Sequence, residues 1–294
     1  MIGLIGGTGL GEALFGENAG REVNIDTPYG HPSSSVRVIN WHGLDIALLA
    51  RHGEGHVYNP TQVPYRANVY ALKALGVTHI LASGAVGSLR EHIHPRQLVI
   101  VDQIIDKTTR RPSTFFEGLA VHVEMAEPYC QRLRHLLLSV ASKSATKVHE
   151  RGTYVCMEGP AFSTMAESNM HRAWGGDVIG MTTMPEAKLA REAEICYAAI
   201  ALPTDYDCWK PHDPDLTRQA LLDEIIGHLK AATGNAVALM KAAIEAIAAN
   251  RSLLEAPCTC RTSLDLAVWS ARNKITPETA RHYSVLLRRY LSRK

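Results

Sequence analysis

The residues with the most chemistry to offer lie in two stretches, Met181-Thr182-Thr183-Met184-Pro185-Glu186 and Thr204-Asp205-Tyr206-Asp207-Cys208-Trp209. Each follows an apolar, strand-like run, so a hydroxyl and two carboxylates are expected at strand ends, where α/β proteins hold their ligands. The hydroxyl suits a bound anion. The paired acids suit a ligand gripped through an amino group, or one that must be protonated. Asp205 and Asp207 closely follow the apolar Ala198–Leu202. A carboxylate beside an apolar core tends toward a raised pKa, which suits a general acid. A lone Asp there would be read as a structural cap, but two flanking a tyrosine and leading into Trp209 point to a site.

Three further segments add anion-binding groups. Gly6-Gly7-Thr8-Gly9 follows the first apolar run, and its glycines let backbone N–H groups approach an anion while Thr8 adds a hydroxyl. It fails the dinucleotide pattern, because the third glycine position falls on Glu12, and it lacks the GK[ST] of a P-loop. A tight strand-to-helix turn is the alternative. Ala50-Arg51-His52-Gly53-Glu54-Gly55-His56 sets an arginine directly after a strand, and a guanidinium fork matches a phosphate bidentately. His52 and His56 do not make a zincin motif: Glu54 is misplaced for HExxH, and Gly53 and Gly55 disfavour the helix it requires. For Arg51 alone, a surface ion pair is the competing reading.

Ala82-Ser83-Gly84-Ala85-Val86-Gly87-Ser88 reads as a second small-residue turn, leaving main-chain N–H groups at Gly84 and Ala85 open to the anion. No GxSxG elbow is present, which argues against a serine hydrolase. In Glu158-Gly159-Pro160-Ala161-Phe162-Ser163, Phe162 offers a face for a flat base, with core packing as the alternative. Together these segments describe a nucleoside-plus-phosphate pattern.

Short apolar runs recur at 2–5, 36–39, 46–50, 79–82, 98–101, 154–157, 178–181 and 195–202. Helical spacing occupies 65–75, 130–141, 164–174 and 185–193, the last with Pro185 at the first helical position. This alternation predicts an α/β fold with a mixed, mainly parallel central sheet flanked by helices. Residues 216–249 are helical and Ala-rich, a break follows at 256–261, and a last helix starts at Pro277 after the cap Thr276. The chain reads as one domain, residues 1–250, with a helical C-terminal extension, residues 251–294, that packs on the domain or on a neighbouring subunit.

With 46% hydrophobic and 20% charged residues among 294, the chain can bury one large core. A net charge of +2 with no dense Lys/Arg stripe argues against nucleic-acid binding. The basic run Arg288, Arg289, Arg293 and Lys294 reads as a solvated helix end. No apolar run reaches membrane-spanning length and the start lacks a signal-peptide layout, so a cytoplasmic protein is expected. Of the six cysteines only Cys258-Thr259-Cys260 is clustered. A lone CxC lacks the second pair a zinc site needs, so buried or free thiols and no metal are expected, with a CxC disulfide or strained redox pair as the alternative.

The ordered set Ile5-Gly6-Gly7-Thr8-Gly9, Asp26-Thr27-Pro28-Tyr29-Gly30, Ala50-Arg51-His52-Gly53, Gly87-Ser88-Leu89-Arg90, Met125-Ala126-Glu127-Pro128, Glu158-Gly159-Pro160, and the two stretches named first resemble the methylthioadenosine phosphorylase branch of the trimeric purine nucleoside phosphorylases. The resemblance runs from Met1 to about Leu222; the tail past Ala249 matches poorly and is longer than the resemblance implies. It implies the single-domain nucleoside phosphorylase fold and phosphorolysis of an N-glycosidic bond, with inorganic phosphate as co-substrate and no metal or organic cofactor. By position, Thr8, Arg51, His52, Gly84, Ala85 and Thr182 would hold phosphate. Met181 would lie along the ribose, and Phe162 with Ser163 would line the base. Asp205 and Asp207 would face the purine N7 and 6-amino edge. A carboxylate accepts from a 6-amino group and repels a 6-keto oxygen, so methylthioadenosine is favoured over inosine or guanosine.

Within that resemblance His122 matches a position that reaches a neighbouring subunit's 5′ pocket, in a homotrimer or a dimer of trimers. Ser163, Arg218, Leu221 and Leu222 would set specificity. Four positions depart from the pattern. Ala161 stands where Arg is frequent, Gly180 where Asn is common, and Gly84 where a hydroxyl residue is usual. Arg218 replaces a small apolar residue of the 5′-methylthio pocket, where a charge is costly unless it points to solvent. Two other readings remain: a purine nucleoside phosphorylase of broader specificity, taking adenosine or 6-oxopurine nucleosides such as inosine or methylthioinosine, and a nucleoside-binding module without turnover.

Overall fold

The opening run Ile2–Gly6 forms β1, buried along its whole length, and the sheet grows outward from it. The computed structural model describes residues 1–7, 10–16, 20–211 and 214–292. The remaining strands are β2 (Arg21–Val23), β3 (Val36–Trp41), β4 (Leu44–Ala50), β5 (His79–Ser88), β6 (Leu98–Ile100), β7 (Gln103–Asp106), β8 (Val148–His149), β9 (Thr153–Cys156), β10 (Val178–Gly180) and β11 (Cys196–Tyr206). The helices are α1 (Leu10–Phe15), α2 (Tyr65–Ala74), α3 (Gln131–Ser139), α4 (Met165–Ala173), α5 (Thr183–Glu192), α6 (Arg218–Ala249), α7 (Ser252–Glu255), α8 (Pro277–His282) and α9 (Arg288–Leu291).

One sheet carries the order β2-β3-β4-β1-β5-β10-β9-β7, and β11 joins it on β5, followed by β6 and β8. Pairs β1·β4, β1·β5, β5·β11, β9·β10, β7·β9 and β6·β8 are parallel, whereas β2·β3, β3·β4, β5·β10 and β6·β11 are antiparallel. The mixed, mainly parallel sheet expected from the alternation of short strands and helices is present.

β5 is the organising strand. β11 pairs with it from His79 to Ser88 along one edge. On the other edge β1 pairs only as far as Ala82, and β10 takes over at Gly87. Residues 83–86 therefore keep an open edge in the middle of the sheet. This corrects the expectation of a turn at 82–88: the segment is the second half of a strand. The sequence signal failed because its glycines and alanines lack β propensity, while pairing with β11 supplies the conformation regardless. β11 likewise runs on to Tyr206, with a register shift between Pro203 and Asp205 that re-aims its end.

Local chemistry sets the helix ends. Thr164 and Glu167 form a reciprocal capping box for α4, and Thr217 and Thr276 cap α6 and α8. Gly76, at φ 87°, ends the turn after α2. In α5, Met184 is extended, so regular helix begins at Pro185.

The core forms two large bodies. The C-terminal half of α6 buries Ala236, Leu239, Met240, Ile244 and Ile247 with Leu4, Leu81 and Ile200 of the sheet. The extension contributes Leu264, Ala267, Tyr283, Leu286 and Leu287 to the other body. Each such aliphatic or aromatic side chain contributes about 1.5–3 kcal/mol on full burial, so the extension is held as core. Tyr283 adds a two-way bond, its hydroxyl donating to Glu117 O (2.7 Å) and accepting from Glu117 N (2.8 Å). Among the described residues no helix is long and apolar enough to cross a membrane.

Candidate active site

At the open edge of β5 four elements converge. β4 ends at Ala50 and delivers Arg51, which is 2% exposed. Its Nε and Nη2 donate to Glu186 Oε2 (2.9 Å) and Oε1 (3.0 Å), and Nη1 donates to Ser83 O (2.9 Å). Tyr197 donates to the same Glu186 Oε1 at 2.7 Å. Burial alone would lower the Arg51 pKa, but Glu186 more than offsets it, and the guanidinium is held above its ordinary range. A fixed cation in a low-dielectric setting is the strongest partner a protein offers to phosphate.

Gly84 closes the cradle. A β-carbon there would stand 3.3 Å from Thr182 Oγ1 and 3.8 Å from Arg51 Nη1, so the glycine keeps hydroxyl, guanidinium and backbone in mutual reach. Because Ser83 O faces Arg51, strand alternation directs the Ala85 N–H to the same open edge. Thr182 stands three residues ahead of the regular turns of α5, which begin only after the extended Met184, so it is its hydroxyl that faces the cradle. Thr8 lies outside the described residues.

Burial holds the His52 imidazole down to about 4, against the hydrogen bond to Tyr58 O that would raise it, with the Arg51 charge adding to the depression. At neutral pH the neutral ring donates Nδ1–H to Tyr58 O (2.8 Å), leaving Nε2 with its lone pair, and it stacks on His56 at 4.2 Å.

The carboxylates sit one step along. Asp205 is aligned with Gly87 across the β5·β11 pair, and Thr204 Oγ1 donates to its Oδ1 at 3.0 Å. His228 of α6 donates from Nδ1 to Thr204 O (2.8 Å), pinning this strand end. Asp207 is buried, and its N–H donates to Ser88 O at 3.0 Å. Its Oδ2 has no hydrogen-bond partner among the described residues. Buried polar atoms are nearly always partnered, so this oxygen is an acceptor available to a ligand. Gly87 permits the approach, since a β-carbon on it would stand 3.2 Å from Asp207 Cβ.

Arg111 ties the remaining pieces together. Buried, it donates to Glu158 Oε1 (3.0 Å), Glu158 O, Met181 O (2.5 Å) and Met184 O (2.7 Å). Burial would raise the Glu158 carboxyl, but bonds from Thr109, Thr61, Arg110 and Arg111 bring it down to about 2. The Met181 thioether lies over Gly159, where a β-carbon would come within 2.5 Å of the sulfur. Phe162 is 85% exposed, which eliminates the core-packing alternative for it. Ser163 donates to Met157 Sδ (3.8 Å), and its carbonyl accepts from Cys208 Sγ (3.3 Å), placing the turn beside Asp207.

The structure thus brings together Arg51, Gly84, Ala85 and Thr182, with His52 adjacent to Arg51. Asp205, Asp207, Met181 and Ser163 stand along the same strand ends. Arg218, first residue of α6, is exposed, so its charge meets solvent; Leu221 is half-buried and Leu222 exposed. His122 is exposed and lies against Trp269 at 5.0 Å, with its N–H donating to Ala267 O. Gly180 is explained by Tyr154: a β-carbon there would come within 2.0 Å of the Tyr154 hydroxyl, so the phenol occupies the space an Asn would need.

Sequence reasoning assigned no role to Glu186, Tyr197, Arg111 or Tyr154. It also passed over Ser168 and His171 of α4, whose buried Oγ and ring nitrogens lack partners among the described residues. Burial lowers the His171 pKa, and Asp207 acts on it in the opposite sense, so the two are within electrostatic reach. Their spacing of three on one helix was the available signal.

The class of protein follows from comparison with known families. The model of the phosphorylase superfamily matches residues 1–245, and the chain belongs to that superfamily. Relatives extend the match through the tail. The S-methyl-5′-thioadenosine phosphorylase of Cereibacter sphaeroides is 46% identical over 279 residues, covering 95% of this chain and 94% of that one. That of Geobacter sulfurreducens is 43% identical over 293 residues and covers 99% of both chains. The tail past Ala249, expected to be an excess, therefore belongs to the common length. Among solved structures, a methylthioadenosine phosphorylase from an Antarctic soil metagenomic library superposes with a TM-score of 0.87 at 43% identity, covering 97% of this chain and 98% of that one. A variant of the adenosine/methylthioadenosine phosphorylase of Schistosoma mansoni, in complex with methylthioadenosine, gives 0.81 at 34% identity, over 92% and 99%.

Proposed function

We propose that the chain phosphorolyses S-methyl-5′-thioadenosine to adenine and 5-methylthioribose 1-phosphate, with inorganic phosphate as co-substrate. The observation that carries this reading is the buried, carboxylate-oriented Arg51 at the open edge of β5, one strand end away from the ligand-ready Oδ2 of Asp207. Relatives bearing that activity in their names support the choice of substrate.

Arg51, Thr182 and the Ala85 N–H hold phosphate, with Gly84 leaving the room between them and His52 beside them. A phosphate oxygen forms a bond to the anomeric carbon as that carbon's bond to purine N9 breaks. The electron pair leaves with the purine, which takes a proton at N7 from a protonated carboxyl of the Asp pair, while positive charge builds on the ribose ring. Asp205 and Asp207 line the purine edge, where one stabilises the proton at N7 and the other accepts from the 6-amino group. Met181 lies along the sugar, and Phe162 covers the base. Arg218 turned to solvent leaves Leu221 and Leu222 as the apolar walls of the 5′ end.

His122 completes the 5′ end of a neighbouring site in a homotrimer. The exposure of Leu266 (90%) and Trp269 (72%) around it supports a subunit contact there. Steady-state kinetics with methylthioadenosine, adenosine and inosine, each with phosphate, test the reading: methylthioadenosine should show the highest kcat/KM, and a preference for inosine would overturn the role given to the Asp pair.

A further inference from the structure

The CxC pair of the extension does have a second pair, supplied by the fold. Cys130 at the start of α3, Cys196 at the start of β11, and Cys258 and Cys260 bring four sulfurs within 4.8 Å of one another. We propose that these four cysteines form a tetrahedral thiolate site for a soft divalent cation, zinc, which fastens the C-terminal extension to the sheet.

The distances fit. Cys130 Sγ and Cys258 Sγ are 3.6 Å apart, against an edge of about 3.8 Å for a tetrahedron of ~2.3 Å zinc–sulfur bonds. An all-sulfur donor set selects zinc over the hard cations magnesium and calcium. Closure by four protein ligands marks a structural rather than a catalytic site. Cys130, Cys196 and Cys260 are 1%, 0% and 4% exposed, which shields the centre from competing water.

The scaffold is set before any ion binds. Cys130 N–H donates to Tyr197 O (2.8 Å), locking the first two ligands together. Arg132 donates to Pro257 O (3.0 Å) and Leu253 O (3.1 Å), and Arg261 to Leu254 O (3.4 Å), holding the loop that carries the other two. These two guanidinium groups and the N-terminus of α3 offset the net negative charge of four thiolates around one divalent ion. From Cys196 to Asp205 along β11 is roughly 30 Å at ~3.3 Å per residue, so the ion acts on stability and leaves turnover untouched.

Metal analysis of the full-length protein purified without chelator should find about one zinc per chain. Replacement by Co²⁺ should give the intense thiolate-to-cobalt charge transfer and tetrahedral d–d bands of a four-sulfur site. Cys258→Ser should hold below about a tenth of an equivalent and unfold at a lower temperature, with an unchanged phosphorolysis rate at room temperature. If that variant fails to fold, the Co²⁺ spectrum of the unmodified chain decides alone. An octahedral cobalt spectrum overturns the proposal. So does a metal-free protein that, unfolded in denaturant without reductant, titrates fewer than its six thiols, the signature of disulfides at these positions.

Discussion

Replacing Asp207 by Asn should invert the choice between 6-amino and 6-oxo purines. Asp207 is buried, fixed by its own N–H to Ser88 O, and presents an Oδ2 with no partner among the described residues. In the proposed complex that oxygen accepts from the purine edge. A hydrogen bond to a charged group contributes about 1.5–3 kcal/mol, and each ~1.4 kcal/mol is tenfold. Asp207→Asn should therefore lower kcat/KM for methylthioadenosine by roughly 10- to 150-fold. The new amide donates to a 6-keto oxygen that the carboxylate repelled, so kcat/KM for inosine should rise by a similar factor. The ratio of the two then moves by about 10² to 10⁴. The fold should not suffer, because the change removes a buried, unpartnered carboxylate oxygen and keeps the shape. Spectrophotometric kinetics on both nucleosides, with thermal unfolding as a control, measure all three quantities. An unchanged ratio in a folded variant would refute the placement of Asp207 on the purine edge, and an equal loss on both substrates would reduce it to a structural role.

Arg51→Lys keeps the charge but loses the fork that bonds Glu186 at both oxygens; the KM for phosphate should rise about 10- to 100-fold with a smaller effect on the nucleoside KM, as phosphate-saturation kinetics will show. Stability should fall on acidification from pH 7 to 5. Burial holds His52, His79 and His149 down to about 4 from 6.5, so below 6.5 the unfolded chain binds more protons and this stability is lost progressively toward pH 4. Glu192, raised by burial to about 7, works in the opposite sense between 4.5 and 7, but three imidazoles outweigh one carboxyl. Thermal melts at pH 7 and 5 test the balance, and a midpoint that holds or rises at pH 5 would contradict it.

Elements whose stability is local were legible in the sequence. β1 is a continuous apolar run, α2 ends at a positive-φ glycine, and α4 carries its capping box, so each could be placed from a few neighbouring residues. β5 beyond Ala82 and β11 beyond Leu202 could not, because their small or polar residues become strand only by pairing with one another. The site divides in the same way. Arg51, Thr182, Asp205 and Asp207 announce themselves by standing directly after apolar runs. Glu186, Arg111 and Tyr154 act through partners far along the chain: Arg51 and Glu186 are 135 residues apart, and Arg111 meets Met181 across 70. The sulfur cluster shows the limit most plainly. Cys130 and Cys196 come near Cys258 and Cys260 only through the closing of α3 and β11 against the extension, and the CxC spacing carries no trace of it.

The proposed reaction requires that phosphate, not water, cleave the glycosidic bond. The direct measurement is product analysis by ³¹P NMR and chromatography, with purified protein and methylthioadenosine, in the presence and absence of inorganic phosphate. Adenine should appear only with phosphate, matched mole for mole by a sugar 1-phosphate. Adenine released at the same rate without phosphate, alongside free methylthioribose, would mean that water is the nucleophile.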